Sequence, residues 1–88
     1  MTPTDEQIRA GLAAVVEAEL GVAPELVTMH ASFAEDLGAD SLAVMTLVVG
    51  AEDRFGVRLP DDKVASLRTV ADAVALIAAA LPEEAAAG

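Results

Sequence analysis

The sequence predicts a small all-α domain, and three observations point to that class. The chain has 88 residues, which is the size of one small domain and leaves no room for a second. Its hydrophobic fraction of 55% excludes intrinsic disorder, and much of that fraction is alanine, the strongest helix former. Apolar residues recur at helical spacing in three stretches. We expect a single domain over residues 1–88, with a core at about 5–81 and a flexible, acidic and alanine-rich tail at 82–88.

The first helix is predicted to run from about Asp5 to Leu20. Thr4 and Gln7 have the spacing of a capping box, in which threonine caps the helix and the glutamine side chain reaches back. Gly21 is a suitable C-cap, because glycine adopts the left-handed conformation that ends many helices. The predicted apolar stripe of this helix consists of Ile8, Leu12, Val15, Val16 and Leu20.

No long helical period follows between residues 21 and 40. Pro24 and the three residues after it predict a short helical turn with proline at its start. A connection of about 20 residues is uncommon in a compact domain and indicates a functional loop or an unrecognised element. We expect this loop to be ordered, because several of its apolar side chains should fold back onto the helices: Val22, Leu26, Val27, Met29 and Phe33.

The second helix is predicted to begin with Asp40 as N-cap, to have Ser41 at its first position and to end at Gly56. It has two apolar faces, which is more than a single core requires. The face expected to be buried consists of Leu47, Val48, Ala51 and Phe55. The adjacent face consists of Leu42, Met45 and Val49, of which Met45 and Val49 could instead belong to the core.

The C-terminal part of the chain predicts a short helix and a last long one. The short helix should begin at Pro60 and continue to about Ser66. Thr69 then caps the last helix, and Pro82 ends it. The apolar seam of the last helix consists of Val70, Val74, Ile77 and Leu81.

Charge and composition exclude several classes of function. Five basic against fifteen acidic residues give a net charge of −10, which excludes nucleic-acid binding and argues against anionic membrane surfaces. The longest apolar stretch, residues 42–51, is too short to span a membrane, and the N-terminus lacks the pattern of a secretory signal. We therefore expect a cytoplasmic protein, monomeric on size and charge, whose partners carry basic patches. Cysteine is absent and His30 is the single histidine, so no metal site or catalytic triad is expected.

Ser41 is the candidate functional residue. The Asp40 cap places its hydroxyl at a helix N-terminus, where free backbone N–H groups and the helix dipole favour a phosphate. No neighbouring base activates the serine, and the glycines of a nucleophile elbow are missing around it. The pattern therefore predicts a serine that is modified, with the alternative that it is only a helix-start residue.

Four stretches of the chain resemble the acyl carrier protein family in their order and spacing. They are the triplet Asp40-Ser41-Leu42, its approach at residues 33–38, the block at residues 52–62, and Thr69-Val70. The similarity covers about residues 6–81 and is with the dissociated carriers of fatty-acid or polyketide synthesis. It implies a four-helix bundle with three longer helices and one short helix between residues 60 and 68.

The resemblance also implies a function. Ser41 would receive 4′-phosphopantetheine from coenzyme A through a separate phosphopantetheinyl transferase, and the thiol of that arm would carry acyl groups as thioesters. The chain itself would not be an enzyme. Partner enzymes, a ketosynthase and an acyltransferase among them, would present basic residues to the second helix. The residues expected to contact them are Asp36, Asp40, Glu52, Asp53, Asp61 and Asp62, with Leu42, Met45 and Val49 as apolar contacts.

The chain departs from the family pattern in one respect. Many members carry acidic residues in the first turns of the second helix, where this chain has Ala43 and Thr46. Arg54 and Arg58 also dilute the acidic stripe, so the choice of partner stays open.

Two alternative functions and a question of cargo also stay open. A peptidyl or aminoacyl carrier uses the same serine chemistry but has a glycine-rich approach to the serine. An unmodified acidic helical adaptor could bind a basic partner without any prosthetic group.

The sequence does not distinguish between fatty-acid, polyketide and antibiotic biosynthesis. Small side chains could leave space for a short acyl chain or simply allow close helix packing: Val48, Ala51, Val64, Ala73 and Val74.

Overall fold

The computed structural model describes residues 3–81 and consists of helices joined by hydrogen-bonded loops. The α-helices are α1 (Asp5–Leu20), α2 (Ser41–Phe55), α3 (Asp61–Val64) and α4 (Val70–Ala80), with a 3₁₀ turn at Pro24–Leu26. No strand occurs in this part of the chain, where the β-type pairing is one isolated bridge between Ser32 and Thr69. The predicted all-α fold with three longer helices and a short one is confirmed.

The helix ends follow local signals in the sequence. Thr4 Oγ1 accepts a hydrogen bond from Gln7 N at 3.1 Å, and Gln7 Oε1 accepts one from Thr4 N at 2.8 Å, so the predicted capping box forms. Gly21 and Gly56 adopt the left-handed conformation at the ends of α1 and α2. The predicted bounds of α1 and α2 are therefore confirmed.

α3 is shorter than the expected helix to about Ser66. It ends at Val64, and the next hydrogen bonds span three residues, from Ser66 N to Lys63 O and from Leu67 N to Val64 O. Hydrogen bonds between residues three apart form a tight 3₁₀-type turn in place of further α-helix. Because nucleation of a helix is costly in free energy, a segment this short does not extend to Ser66.

The core lies where α1, α2, α4 and the long first loop meet. Every side chain of the predicted seam of α4 is buried except Leu81, which is half-buried. The described residues bury no polar or charged side chain. The residues that the loop adds to this core are Val27, Ala31, Phe33, Leu37 and Ala39.

α1 and α2 approach closely where each carries a glycine. A Cβ atom on Gly11 would lie 2.7 Å from Phe55 Cζ, and one on Gly50 would lie 2.7 Å from Val15 Cγ1. A Cβ atom at Gly50 would require Val15 and its helix to shift, whereas one at Gly11 would displace the end of the Phe55 ring. Phe55, which was expected in the buried stripe, is only half-buried, and its ring packs against the edge of the core next to Gly11.

The first loop is ordered, as expected, because it is tied to two helices. Arg9 Nη1 donates to Val27 O at 2.8 Å and so joins the loop to α1. Val70 N donates to Ala31 O at 2.9 Å and joins it to the start of α4. Of the apolar loop residues expected to pack inward, Leu26 is the exception and is exposed.

α4 ends at Ala80, and Leu81 has an extended backbone (φ −70°, ψ 141°), the conformation favoured before a proline. The predicted stop at Pro82 and the predicted tail at 82–88 lie outside the described residues. Over residues 3–81, none of the helices combines the length and apolarity required to cross a membrane.

Candidate functional site

The start of α2 presents Ser41 to solvent. Asp40 has an extended backbone, and its Oδ1 accepts a hydrogen bond from Ala43 N at 2.8 Å, which confirms it as the N-cap. Ser41 is exposed at the first helical position. The first backbone N–H groups of a helix have no partner within it, so this end is suited to an oxyanion.

The chain that leads to Ser41 forms a compact, hydrogen-bonded turn. Asp36 Oδ2 accepts from Ser32 N at 2.7 Å, and Ser32 O accepts from Asp36 N and Leu37 N at 2.9 and 3.0 Å. Gly38 follows with φ of 67°, a conformation that side chains disfavour. It lies between the buried Leu37 and Ala39, so the approach to the serine is anchored in the core.

A groove of about 290 Å³ opens beside Ser41. It lies between the first loop and the segment that precedes α4. Its apolar lining includes Phe33, Val44 and Leu67, and its charged lining residues are Glu35, Asp40 and Arg68.

Behind this groove the interior contains an apolar cavity of about 20 Å³. Phe33, Val44 and Leu67 line both spaces and therefore form the wall between them. A cavity of this size holds roughly one water molecule, so an acyl chain could enter only if that wall moved. Of the small residues expected to leave room, those that line the cavity are Val48, Ala51 and Ala73.

The second apolar face of α2 is exposed. Leu42, Met45 and Val49 are 75%, 46% and 55% accessible to solvent. Their spacing places them along one side of the helix, which begins at the candidate serine. Most large hydrophobic side chains of a small domain are covered, so this row is a candidate contact surface.

The acidic residues expected to meet partners lie in different settings. Asp53 is exposed on α2, and Asp61 and Asp62 are exposed in the first turn of α3. Glu52 is half-buried, and its Oε2 accepts a hydrogen bond from Leu59 N at 2.8 Å. One oxygen of Glu52 therefore holds the loop after α2 in place.

The first turn of α2 contains no acidic residue. Thr46 Oγ1 donates to Leu42 O at 3.2 Å, so this hydroxyl is engaged with its own helix. The middle of the exposed face is therefore neutral, and the acidic residues lie toward its two ends.

Sequence reasoning did not single out Glu35 and Arg68 as site residues. Arg68 directly precedes the N-cap of α4 and Glu35 lies in the first loop, far away along the chain. The two segments meet because Phe33 N donates to Arg68 O at 3.0 Å, next to the bridge between Ser32 and Thr69. No local pattern in the sequence signals that meeting.

Comparison with known proteins decides the family. The family described as "Phosphopantetheine attachment site" matches residues 10–77. The acyl carrier protein of Renibacterium salmoninarum is 53% identical over 77 residues, which cover 88% of this chain and 95% of that protein. The chain belongs to the acyl carrier protein family.

Two further relatives agree with this assignment. The meromycolate extension acyl carrier protein of Mycolicibacterium smegmatis is 47% identical over 88% of this chain and 78% of its own length. A solved structure of the acyl carrier protein from Enterococcus faecalis has a TM-score of 0.70 and 29% identity, and covers 89% of this chain and 99% of that one. The predicted four-helix carrier fold is thereby confirmed.

Membership of the family settles the class of function. The chain is a carrier that bears acyl groups as thioesters on 4′-phosphopantetheine, and it is not itself an enzyme. The carrier is favoured over the unmodified adaptor and over the peptidyl or aminoacyl carrier, because its relatives are acyl carrier proteins.

Proposed function

We propose that Ser41 Oγ is the attachment point of 4′-phosphopantetheine in this carrier. The observation that supports it is an exposed serine at the first position of α2, held by the Asp40 cap and a hydrogen-bonded approach. Attachment forms a bond from Ser41 Oγ to phosphorus, breaks the pyrophosphate bond of coenzyme A and releases adenosine bisphosphate. The arm then supplies the thiol that this cysteine-free chain lacks.

Among pathways, we propose fatty-acid chain extension over polyketide or antibiotic synthesis. The named relatives include a meromycolate extension carrier. The residues that line the interior cavity are all apolar, including Leu12, Leu47 and Ile77. A reduced alkyl chain could occupy an enlarged cavity of this kind, whereas a poly-keto chain would bury carbonyl groups without hydrogen-bond partners.

The acyl chain would enter through the wall formed by Phe33, Val44 and Leu67. Loading the holo-protein with a short saturated acyl group should then shift the NMR signals of buried residues such as Leu47 and Ile77. Shifts confined to surface residues would contradict sequestration in the core.

The partners would dock on the exposed face of α2. Leu42, Met45 and Val49 form its apolar centre, Asp40 caps the start of the helix, and Asp53 lies near its end. Asp36, Asp61, Asp62 and the free oxygen of Glu52 would meet basic patches on the transferase, the ketosynthase and the acyltransferase. Such charges mainly raise the association rate, and the apolar anchors set the lifetime of the complex. We further propose that the carrier acts as a cytoplasmic monomer, on its size and acidity.

Intact-mass measurement tests the attachment site. The purified protein is incubated with coenzyme A, magnesium and a promiscuous phosphopantetheinyl transferase. The parent chain and the matched control Ser66→Ala, which removes another exposed serine, should each gain the mass of one phosphopantetheine. Ser41→Ala should gain nothing. A gain that persists in a folded Ser41→Ala protein, or one that is absent from the folded parent, would reject the proposal.

A further inference from the structure

The groove beside Ser41 is lined by two charged residues to which attachment assigns no role, Glu35 and Arg68. Asp40, which caps α2, lines it with them. Arg68 is the basic residue among the groove lining, in a chain whose net charge is −10.

The backbone of Arg68 is fixed on both sides. Its N–H donates to Asp72 Oδ2 at 3.1 Å, and its carbonyl oxygen accepts from Phe33 N at 3.0 Å. The first of these bonds belongs to the start of α4 and the second to the first loop. Arg68 therefore lines the groove from a fixed backbone position, and its side chain is exposed.

The other arginines occupy different parts of the molecule. Arg9 is paired with Glu6 and with Val27 O at the side of α1. Arg54 reaches Gly11 near the C-terminal end of α2, and Arg58 is exposed in the loop after it. In the described part of the chain, Arg68 is thus the arginine that shares a groove with Ser41.

A phosphodiester on Ser41 would add a negative charge beside two carboxylates. Repulsion from Glu35 and Asp40 would drive it away from the groove, and the guanidinium of Arg68 would attract it. Guanidinium and phosphate groups match in geometry and form charge-assisted hydrogen bonds. The charge of Arg68 also interacts with the carboxylate of Asp72. The position of the phosphodiester would therefore depend on its attraction to Arg68 and on its repulsion by Glu35 and Asp40.

We propose that Arg68 is a positioning residue that holds the phosphodiester of the prosthetic group in this groove, with Glu35 opposing it. The inference rests on attachment at Ser41. When the phosphodiester is held, the arm starts beside the apolar wall of Phe33, Val44 and Leu67, through which cargo would reach the interior. When it is released, the arm is free to enter a partner.

NMR of the holo-protein tests the proposal, after intact mass has shown that each variant is loaded. The ³¹P signal of the phosphodiester is compared between the parent, Arg68→Gln and the control Arg58→Gln. Arg68→Gln should move the signal toward the position of free phosphopantetheine, and the control should leave it in place. An exposed charge contact should change the ratio of held to free arm by about 1.5- to 5-fold. Glu35→Gln should move the signal in the opposite direction.

A second readout observes the arginine directly. Conversion from the apo- to the holo-form should shift the Nε–Hε signal of Arg68 more than those of Arg9, Arg54 and Arg58. In the parent protein, 1 M NaCl should move the ³¹P signal toward its position in Arg68→Gln, because salt screens exposed contacts.

The outcomes separate this inference from the attachment proposal. Absence of loading at Ser41 would reject attachment before any NMR comparison. Normal loading with equal ³¹P signals in Arg68→Gln and Arg58→Gln, or with an unshifted Arg68 Nε–Hε signal, would reject the role of Arg68 alone.

Discussion

The starts of α2 and α4 lie near the same groove, but they use their backbone N–H groups differently. At α4, Thr69 Oγ1 accepts from Asp72 N at 3.3 Å, and Asp72 Oδ2 accepts from the N–H groups of Thr69 and Arg68. At α2, Asp40 accepts from Ala43 N, but Ala43 occupies the position of Asp72 and has no side chain that could reach back.

α1 has the same kind of capping box as α4, in which the side chain of Gln7 takes the place of Asp72. Its first turn also contains acidic residues. α2 is therefore the long helix whose start is left partly unsatisfied and without acidic residues in its first turn. The difference leaves free N–H groups and the positive end of the dipole at the start of α2, where the proposed attachment would add a phosphate.

Removing the cap of α4 should have the largest effect. Thr69→Ala deletes the oxygen that accepts from Asp72 N, and the loss of an N-cap costs about 1 kcal/mol of unfolding free energy. Urea unfolding followed by circular dichroism measures this change. Thr69→Ser, which keeps the oxygen, should retain most of the stability, and equal losses in the two variants would contradict a capping role.

The carboxylate of Asp72 should make a smaller contribution to the free energy of unfolding, and this contribution should depend on pH. Hydrogen bonds from Thr69 N, and then from Arg68 N, hold the pKa of Asp72 below its usual range. A carboxylate with a lowered pKa stabilises the fold above its unfolded pKa, and this contribution is lost as the pH falls through the folded pKa.

Asp72→Ala should therefore destabilise the protein at pH 7 by less than about 1 kcal/mol, because the group is exposed. The difference from the parent should shrink below about pH 4, the ordinary range of an aspartate. Asp72→Asn keeps an acceptor oxygen without the charge and should lose less at pH 7. A difference between Asp72→Ala and the parent that is the same at pH 3 and pH 7 would disprove the charge contribution.

Completing a capping box at the start of α2 should have the smallest effect on stability. Ala43→Gln and Ala43→Glu each supply a side chain that can return to Asp40 N, as Gln7 does in α1. Each should raise the unfolding free energy of the apo-protein by about 0.5 kcal/mol. Urea unfolding of the apo- and holo-forms provides the measurement.

The two substitutions at Ala43 should differ once the prosthetic group is attached. The carboxylate introduced by Ala43→Glu would repel the phosphodiester, so its gain in stability should be smaller in the holo-form than in the apo-form. Ala43→Gln should give the same gain in both forms. Equal gains for Ala43→Glu in the two forms would indicate that the phosphodiester does not interact electrostatically with the start of α2.

Much of the fold could be predicted because its signals are local. The capping box at Thr4, the Asp40 cap and the terminal glycines act within one turn of helix, so spacing along the chain determines them. The second apolar face of α2 could also be predicted from its spacing. Whether Met45 and Val49 belong to the core was left open by the sequence, and the structure exposes both. The short α3 was predicted too long, because propensity does not show where one turn of helix becomes unfavourable.

The candidate site was only partly predictable. The position of Ser41 follows from its cap, but Arg68 enters the same groove through hydrogen bonds between distant segments. Glu52 was expected among the partner contacts on the strength of its place in α2, and the structure adds a hydrogen bond to Leu59 N. The half-burial of Phe55 depends on Gly11 of another helix.

Local signals and composition were enough to predict the helical class, the helix starts, the serine at the start of α2 and the acidic character of the chain. These properties depend on interactions between residues a few positions apart and on composition. The residues that line the groove, the small size of the interior cavity and the carboxylates engaged by the backbone became known from the three-dimensional structure. Those properties depend on the packing of segments that are far apart in the chain, and local spacing in the sequence does not predict that packing.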